Sequence, residues 1–235
     1  MKKVIHRSNE RGHANHGWLD TYHSFSFANY YNPEKVHFGA LRVLNDDHVS
    51  AGMGFGKHPH ENMEIISIPL EGDLEHQDSM GNVSVIKEGD VQVMSAGTGV
   101  FHSEKNKNND QDVRFLQIWV FPEEENITPN YDQQHFGKEA IRNHFQTVVS
   151  PNGEGVKINQ KAWLSLGEFD VEQALDYTIQ NTGNGVYGFV LEGEIEVDGE
   201  TLERRDAIGI WDTDSLNIKA KAGAKVLLID VPMLN

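Results

Sequence analysis

Turn signals recur roughly every ten residues through much of this chain, a spacing that leaves room for short strands and little else. Gly39-Ala40-Leu41-Arg42-Val43-Leu44 ends at Asn45-Asp46-Asp47, and Ile65-Ile66-Ser67-Ile68-Pro69-Leu70 ends at Glu71-Gly72-Asp73. Ser79-Met80-Gly81-Asn82 and Glu88-Gly89-Asp90 are further turns. A polar loop from Lys105 to Asp112 precedes the apolar run Val113 to Phe121, a long strand closed by Pro122. The pattern predicts an all-β fold, sandwich or barrel, rather than strands alternating with helices.

The length, 235 residues, is enough for two such domains, each with its own core. Leu191-Glu192-Gly193-Glu194-Ile195-Glu196 echoes Leu70-Glu71-Gly72-Asp73-Leu74-Glu75, each a strand, a glycine turn and a returning strand. Asp198-Gly199 is a hairpin turn, and residues 207–211 and 226–231 read as strands. The acidic, proline-marked stretch from Pro122 to Pro129 has a linker's composition. The expected organisation is therefore a first domain at 1–125, a linker at 126–147 and a second domain at 148–235. In the first domain, Ser24-Phe25-Ser26-Phe27 alternates as a half-buried strand does, with Trp18, Phe25 and Phe27 as core. His13, His16 and His23 lack a ligand-type neighbour and are read as packed or solvated.

Chemistry concentrates in two places. Gly54-Phe55-Gly56-Lys57-His58-Pro59-His60 sets two histidines around a proline, which disfavours helix for His58 and keeps the triplet extended. Alternation then sends His58 and His60 out of one face of a strand. Gly97-Thr98-Gly99-Val100-Phe101-His102-Ser103-Glu104 repeats the arrangement with ligand types at i and i+2. If the two strands meet, three imidazoles and a carboxylate suit a divalent first-row metal: iron(II), manganese, cobalt, nickel, copper or zinc. Glu64 falls on the same alternating face as His58 and His60 if that strand runs on unbroken. Either Glu64 or Glu104 then ligates, leaving the other to act as general base or to orient an imidazole through a hydrogen bond. Met53, Phe55 and Phe101 are candidate apolar walls. The last histidine is His144, so the second domain cannot bind metal through imidazole.

Composition narrows the partners. A formal net charge of −16 argues against affinity for nucleic acid or anionic membranes. With no cysteine there is neither disulfide nor thiolate site, which fits a cytoplasmic protein. No signal-peptide core or membrane-spanning run is present.

These residues resemble the pirin family of the cupin superfamily. The resemblance rests on Gly54 to His60 with Glu64, on Met94 to Glu104, on Gly17-Trp18-Leu19 and His23 to Phe27, and on His76 to Asn82. It extends over essentially the whole chain and runs closest to the bacterial pirin-like quercetinases. It implies a bicupin, two jelly-roll barrels in tandem with few short helices, a metal site in the first and a degenerate second barrel. By the same resemblance the ligands are His58, His60, His102 and Glu104, with iron(II) as the first choice of metal. The implied activity is dioxygen-dependent opening of flavonols such as quercetin with release of carbon monoxide, by a monomer. Some pirins act instead as metal-bearing regulators through a protein partner, and a cupin isomerase or hydrolase would need no dioxygen.

Overall fold

The computed structural model describes Met1 to Leu234. Its first strands are β1 (Lys2–His6), β2 (Gly12–Asn15), β3 (Leu19–His23), β4 (Leu41–Val49), β5 (Gly54–His60) and β6 (Glu64–Glu71). They are followed by β7 (Leu74–Asp78), β8 (Val83–Ile86), β9 (Asp90–Ser95), β10 (Val100–Asn106), β11 (Val113–Val120) and β12 (Asn130–His135). After the short helix α1 (Lys138–Ile141) come β13 (Gln146–Ser150), β14 (Val156–Lys157), β15 (Trp163–Phe169), β16 (Gln173–Thr178) and β17 (Asn184–Glu192). The chain finishes with β18 (Glu194–Val197), β19 (Glu200–Glu203), β20 (Ala207–Trp211), β21 (Ser215–Ala220) and β22 (Ala224–Pro232).

These strands build the same object twice. A seven-stranded sheet β12-β9-β6-β11-β4-β3-β2 faces a four-stranded sheet β5-β10-β7-β8, and β1-β20-β17-β22-β15-β13-β14 pairs likewise with β16-β21-β18-β19. The sequence of strands β4 to β11 maps one-to-one onto β15 to β22. The echo noticed in the sequence is the β6–β7 corner and its copy β17–β18. Each turns on a glycine in the left-handed region, Gly72 at φ 75° and Gly193 at φ 74°. The bicupin expectation holds: two all-β domains and only short helices.

The seven-stranded sheets pack back to back. One continuous core contains Ile66, Ile68, Leu116 and Ile118 of the first domain with Tyr187, Phe189, Leu227 and Ile229 of the second. The edges are exchanged across the expected boundaries of 1–125 and 126–147. β1, at the start of the chain, pairs with β20 of the second domain. β12, inside the expected linker, pairs with β9 of the first. An unpaired strand edge is costly to leave bare, and here each large sheet is closed at one edge by a strand from outside its own repeat.

Two local expectations change. Asn45-Asp46-Asp47 is no turn: β4 runs straight through it, because every polar side chain there finds a partner. Asn45 Oδ1 accepts from His23 Nδ1 at 2.8 Å, Asp47 accepts from the Thr21 hydroxyl, and Asp46 takes Arg11 and Arg205. Residues 24–27 are not a strand. β3 ends at His23, Phe25 inserts against Tyr187 in the interdomain core, and Ser26 Oγ donates to Asn32 O at 2.9 Å.

Candidate metal centre

β5 and β10 are antiparallel neighbours with His58 opposite His102 and Val100 opposite His60. β5 lies at a sheet edge, so Pro59 removes no inner ladder bond. A side chain at Gly54 would collide with Glu104 O at 2.4 Å, so the glycine allows the two strands to close up. Alternation then turns His58, His60 and His102 inward. Their ring centroids form a triangle with sides of 4.8, 4.4 and 4.8 Å, and one ring nitrogen from each lies within 4.8 Å of the others.

The donor set fits a metal ion on its own evidence. Both nitrogens of buried His102 have no hydrogen-bond partner among the described residues, an expensive arrangement for a polar ring unless something binds it. His58 Nδ1 bonds Gly56 O at 2.8 Å, which fixes that proton and leaves Nε2 as the lone pair for the centre. Burial pulls His60 down to about 4 and His102 to about 3, so both offer neutral imidazole at neutral pH.

Glu104 follows His102 on the same face, past a register shift between the two. Its carboxylate is held at both ends: Ser67 Oγ donates to Oε1 at 2.9 Å and Gln117 Nε2 to Oε2 at 2.6 Å. It lines the same cavity as His58 and His60, although its oxygens are not part of the tight cluster of ring nitrogens.

Glu64 is elsewhere. The chain leaves β5 at His60, passes Asn62 at φ 49° and enters β6 in the other sheet, so the unbroken strand is not formed. On β6, Ser67 faces the metal residues while Glu64, Ile66 and Ile68 alternate toward the second domain. Glu64 is fully buried there, taking Ser95 Oγ at 2.7 Å and Asn159 N at 3.1 Å. It does not reach the imidazoles.

The cavity beside the imidazoles measures about 470 Å³. Phe55 lines it as expected, but Met53 and Phe101 point outward, 44% and 49% exposed. Its far wall is the part the sequence hid. His13, His16 and His23 line it, as do Phe27 and Tyr30, so the amino-terminal arm covers the site. Across the large sheet, His23, Asn45, Gln117, Ser67 and Gln92 stand opposite one another on five successive strands. This row of polar side chains crosses the interior next to the metal residues. Period-two alternation within β3, β4 and β11 was the available signal. Below the site, fully buried His76 bonds Asp78 at 3.0 Å, and its ring lies 5.3 Å from that of His102.

The second domain fills the matching positions with apolar groups. Leu74 and Ile195, each two residues past its corner glycine, face Asn106 and Ala220. Counting back in register, Tyr177, Ile179, Leu216 and Ile218 occupy the places of His58, His60, His102 and Glu104. Tyr177, Leu216 and Ile218 belong to that domain's own core, with Ile179 packed against it.

Comparison with known proteins agrees with both halves. Residues 4–120 match the Pirin family model and residues 147–231 match the quercetinase C-terminal cupin domain model. The chain is 43% identical to a quercetin 2,3-dioxygenase of Escherichia coli K12, over 97% of this chain and 98% of that protein. It is 36% identical to a pirin-like protein of Caulobacter vibrioides, over 93% and 95%. The crystal structure of bacterial pirin YhhW in complex with nickel(II), from Escherichia coli, superposes with a TM-score of 0.93 at 41% identity, covering 99% of this chain and 100% of that one.

Proposed function

From the premise that this chain belongs to the pirin family, we propose that it is a metal-dependent dioxygenase that opens the heterocyclic ring of flavonols such as quercetin. Dioxygen is consumed, carbon monoxide leaves, and the two oxygen atoms end in the depside product. The observation that carries this reading is the cluster of His58, His60 and His102 beside a cavity of about 470 Å³ that His58, His60 and Glu104 line. A relative named quercetin 2,3-dioxygenase, similar along nearly its whole length, supports it.

His58, His60, His102 and Glu104 would hold the metal, iron(II) first, though the same donors accept manganese, cobalt, nickel, copper or zinc. When bound, the ion supplies Lewis acidity that lowers the pKa of a coordinated hydroxyl. The protein supplies the rest. Ser67 and Gln117 hold the Glu104 carboxylate in one orientation, from which it accepts the proton of the flavonol hydroxyl. Phe27, Phe55 and Trp119 give the cavity apolar walls that exclude water and keep the flat substrate in place. Among the described residues, no helix is long and apolar enough to cross a membrane.

The test is an aerobic assay of iron-loaded protein with quercetin, following loss of flavonol absorbance together with carbon monoxide. Metal-dependent release of carbon monoxide is expected. Metal-replete protein that leaves a panel of flavonols intact would instead be a regulatory binding module acting through a protein partner. Turnover without dioxygen would indicate an isomerase or hydrolase.

A further inference from the structure

Opposite the imidazoles, the cavity wall formed by β3 and β4 carries two hydrogen-bond acceptors that no metal-binding or proton-transfer role uses. The first is Asp47, which is 5% exposed and lines the cavity. Thr21 donates to its Oδ1. Its Oδ2 takes no hydrogen bond from the described residues, which leaves one oxygen of this cavity-lining group unengaged. Glu104 differs, with both oxygens already engaged.

The second is His23. Asn45 Oδ1 accepts from Nδ1 at 2.8 Å, and burial holds the ring below its ordinary pKa. The neutral ring with its proton on Nδ1 presents the Nε2 lone pair to the cavity it lines. His23 pairs with Asn45 across the sheet, and Thr21 with Asp47, so the two acceptors lie one pleat apart, about 7 Å along the strands.

We propose that Asp47 and His23 form a specificity wall that accepts hydrogen bonds from further free hydroxyl groups of a ligand anchored at the metal. The favoured substrates are then polyhydroxylated aromatics rather than bare or fully O-methylated ones. This rests on the flavonol reading above and adds to it. A site built to bond a hydroxyl leaves its own buried groups unpaired when the hydroxyl is missing, so discrimination is strong. The second domain has Ser165 and Gly167 in register at the places of Asn45 and Asp47, which suits a position with no ligand to read.

The experiment is anaerobic titration of nickel(II)-loaded protein with quercetin and with 3-hydroxyflavone, which lacks every other hydroxyl, followed by the absorbance shift of the bound flavonol. The wild type should prefer quercetin by about tenfold or more, the worth of one net hydrogen bond. Thr21→Val combined with Asp47→Leu removes both partners of one buried bond together, leaving neither unpaired. It should keep its nickel, bind 3-hydroxyflavone as before and lose about tenfold toward quercetin. His23→Phe, set among Phe27 and Tyr30, is the second variant and should lose preference in the same direction. A wild type without preference, or variants that retain it, would overturn the wall and leave the dioxygenase reading intact. A nickel-loaded wild type that binds neither flavonol would overturn both.

Discussion

At the scale of single residues, the centre depends on lone pairs that burial keeps unprotonated. His58→Ala removes one of the three imidazoles, so metal per chain should fall to a small fraction of the wild-type value, measured by elemental analysis, and turnover should go with it. A subtler prediction concerns the groups behind Glu104. Ser67→Ala and Gln117→Ala each free one carboxylate oxygen while leaving every proposed ligand in place. Metal affinity should drop roughly 10–100-fold, the usual cost of removing a partner that orients a ligand, as read by competition with a chelator. Unchanged affinity in both variants would mean that Glu104 does not serve the metal. The histidine spacing was legible in the sequence because alternation along a strand is local. Ser67 and Gln117 were not, since each matters only through its place opposite the other across the sheet.

At the scale of elements, strand boundaries decided which residue faces what. Glu64 had the right spacing for the site, but the break after His60 put it on a different sheet, where alternation points it at the second domain. Asn45-Asp46-Asp47 had turn composition, yet cross-strand partners made it the middle of the long β4. The exchanged edges lead to a prediction. Removing residues 2–6 deletes β1 and bares the edge of β20, with the loss of a five-residue antiparallel pairing. Stability should fall on the order of 3–5 kcal/mol at about one per net hydrogen bond, and the shortened chain should self-associate through the bared edge. Thermal melting and size-exclusion chromatography would detect both changes.

At the scale of the whole molecule, the two domains are joined by a shared apolar core and a buried ion cluster. Arg11 and Arg205, with side chains 8% and 7% exposed, both bond Asp46 Oδ2, and Arg205 reaches it from the second domain. Asp46→Ala would take the carboxylate from Arg11 and leave Arg205 with Glu192 at 3.7 Å and the Leu191 carbonyl, so a loss of about 3 kcal/mol is expected in denaturant unfolding. His6, on β1, gives a pH test. Burial lowers it to about 4, from 6.5, beside the Tyr187 hydroxyl. Above pH 6.5 neither state holds the proton. Between 6.5 and 4 the unfolded chain gains one that the folded chain refuses, so this residue costs stability as the pH falls. Asp47, pushed up to about 7, tilts the wild-type curve the other way, so the measurement is a difference. The stability of the wild type relative to His6→Gln should decline from pH 6.5 to 4 and stay flat above.

By itself, the sequence determined the all-β class, the duplication and the imidazole pairs, because turn residues, a repeated glycine corner and period-two spacing are properties of neighbouring residues. Only the tertiary structure decided that β1 completes the second domain, that the amino-terminal arm roofs the metal cavity and that Glu64 faces away from it. Those outcomes depend on which strands lie side by side, and that is settled by burial and pairing between residues far apart in the chain.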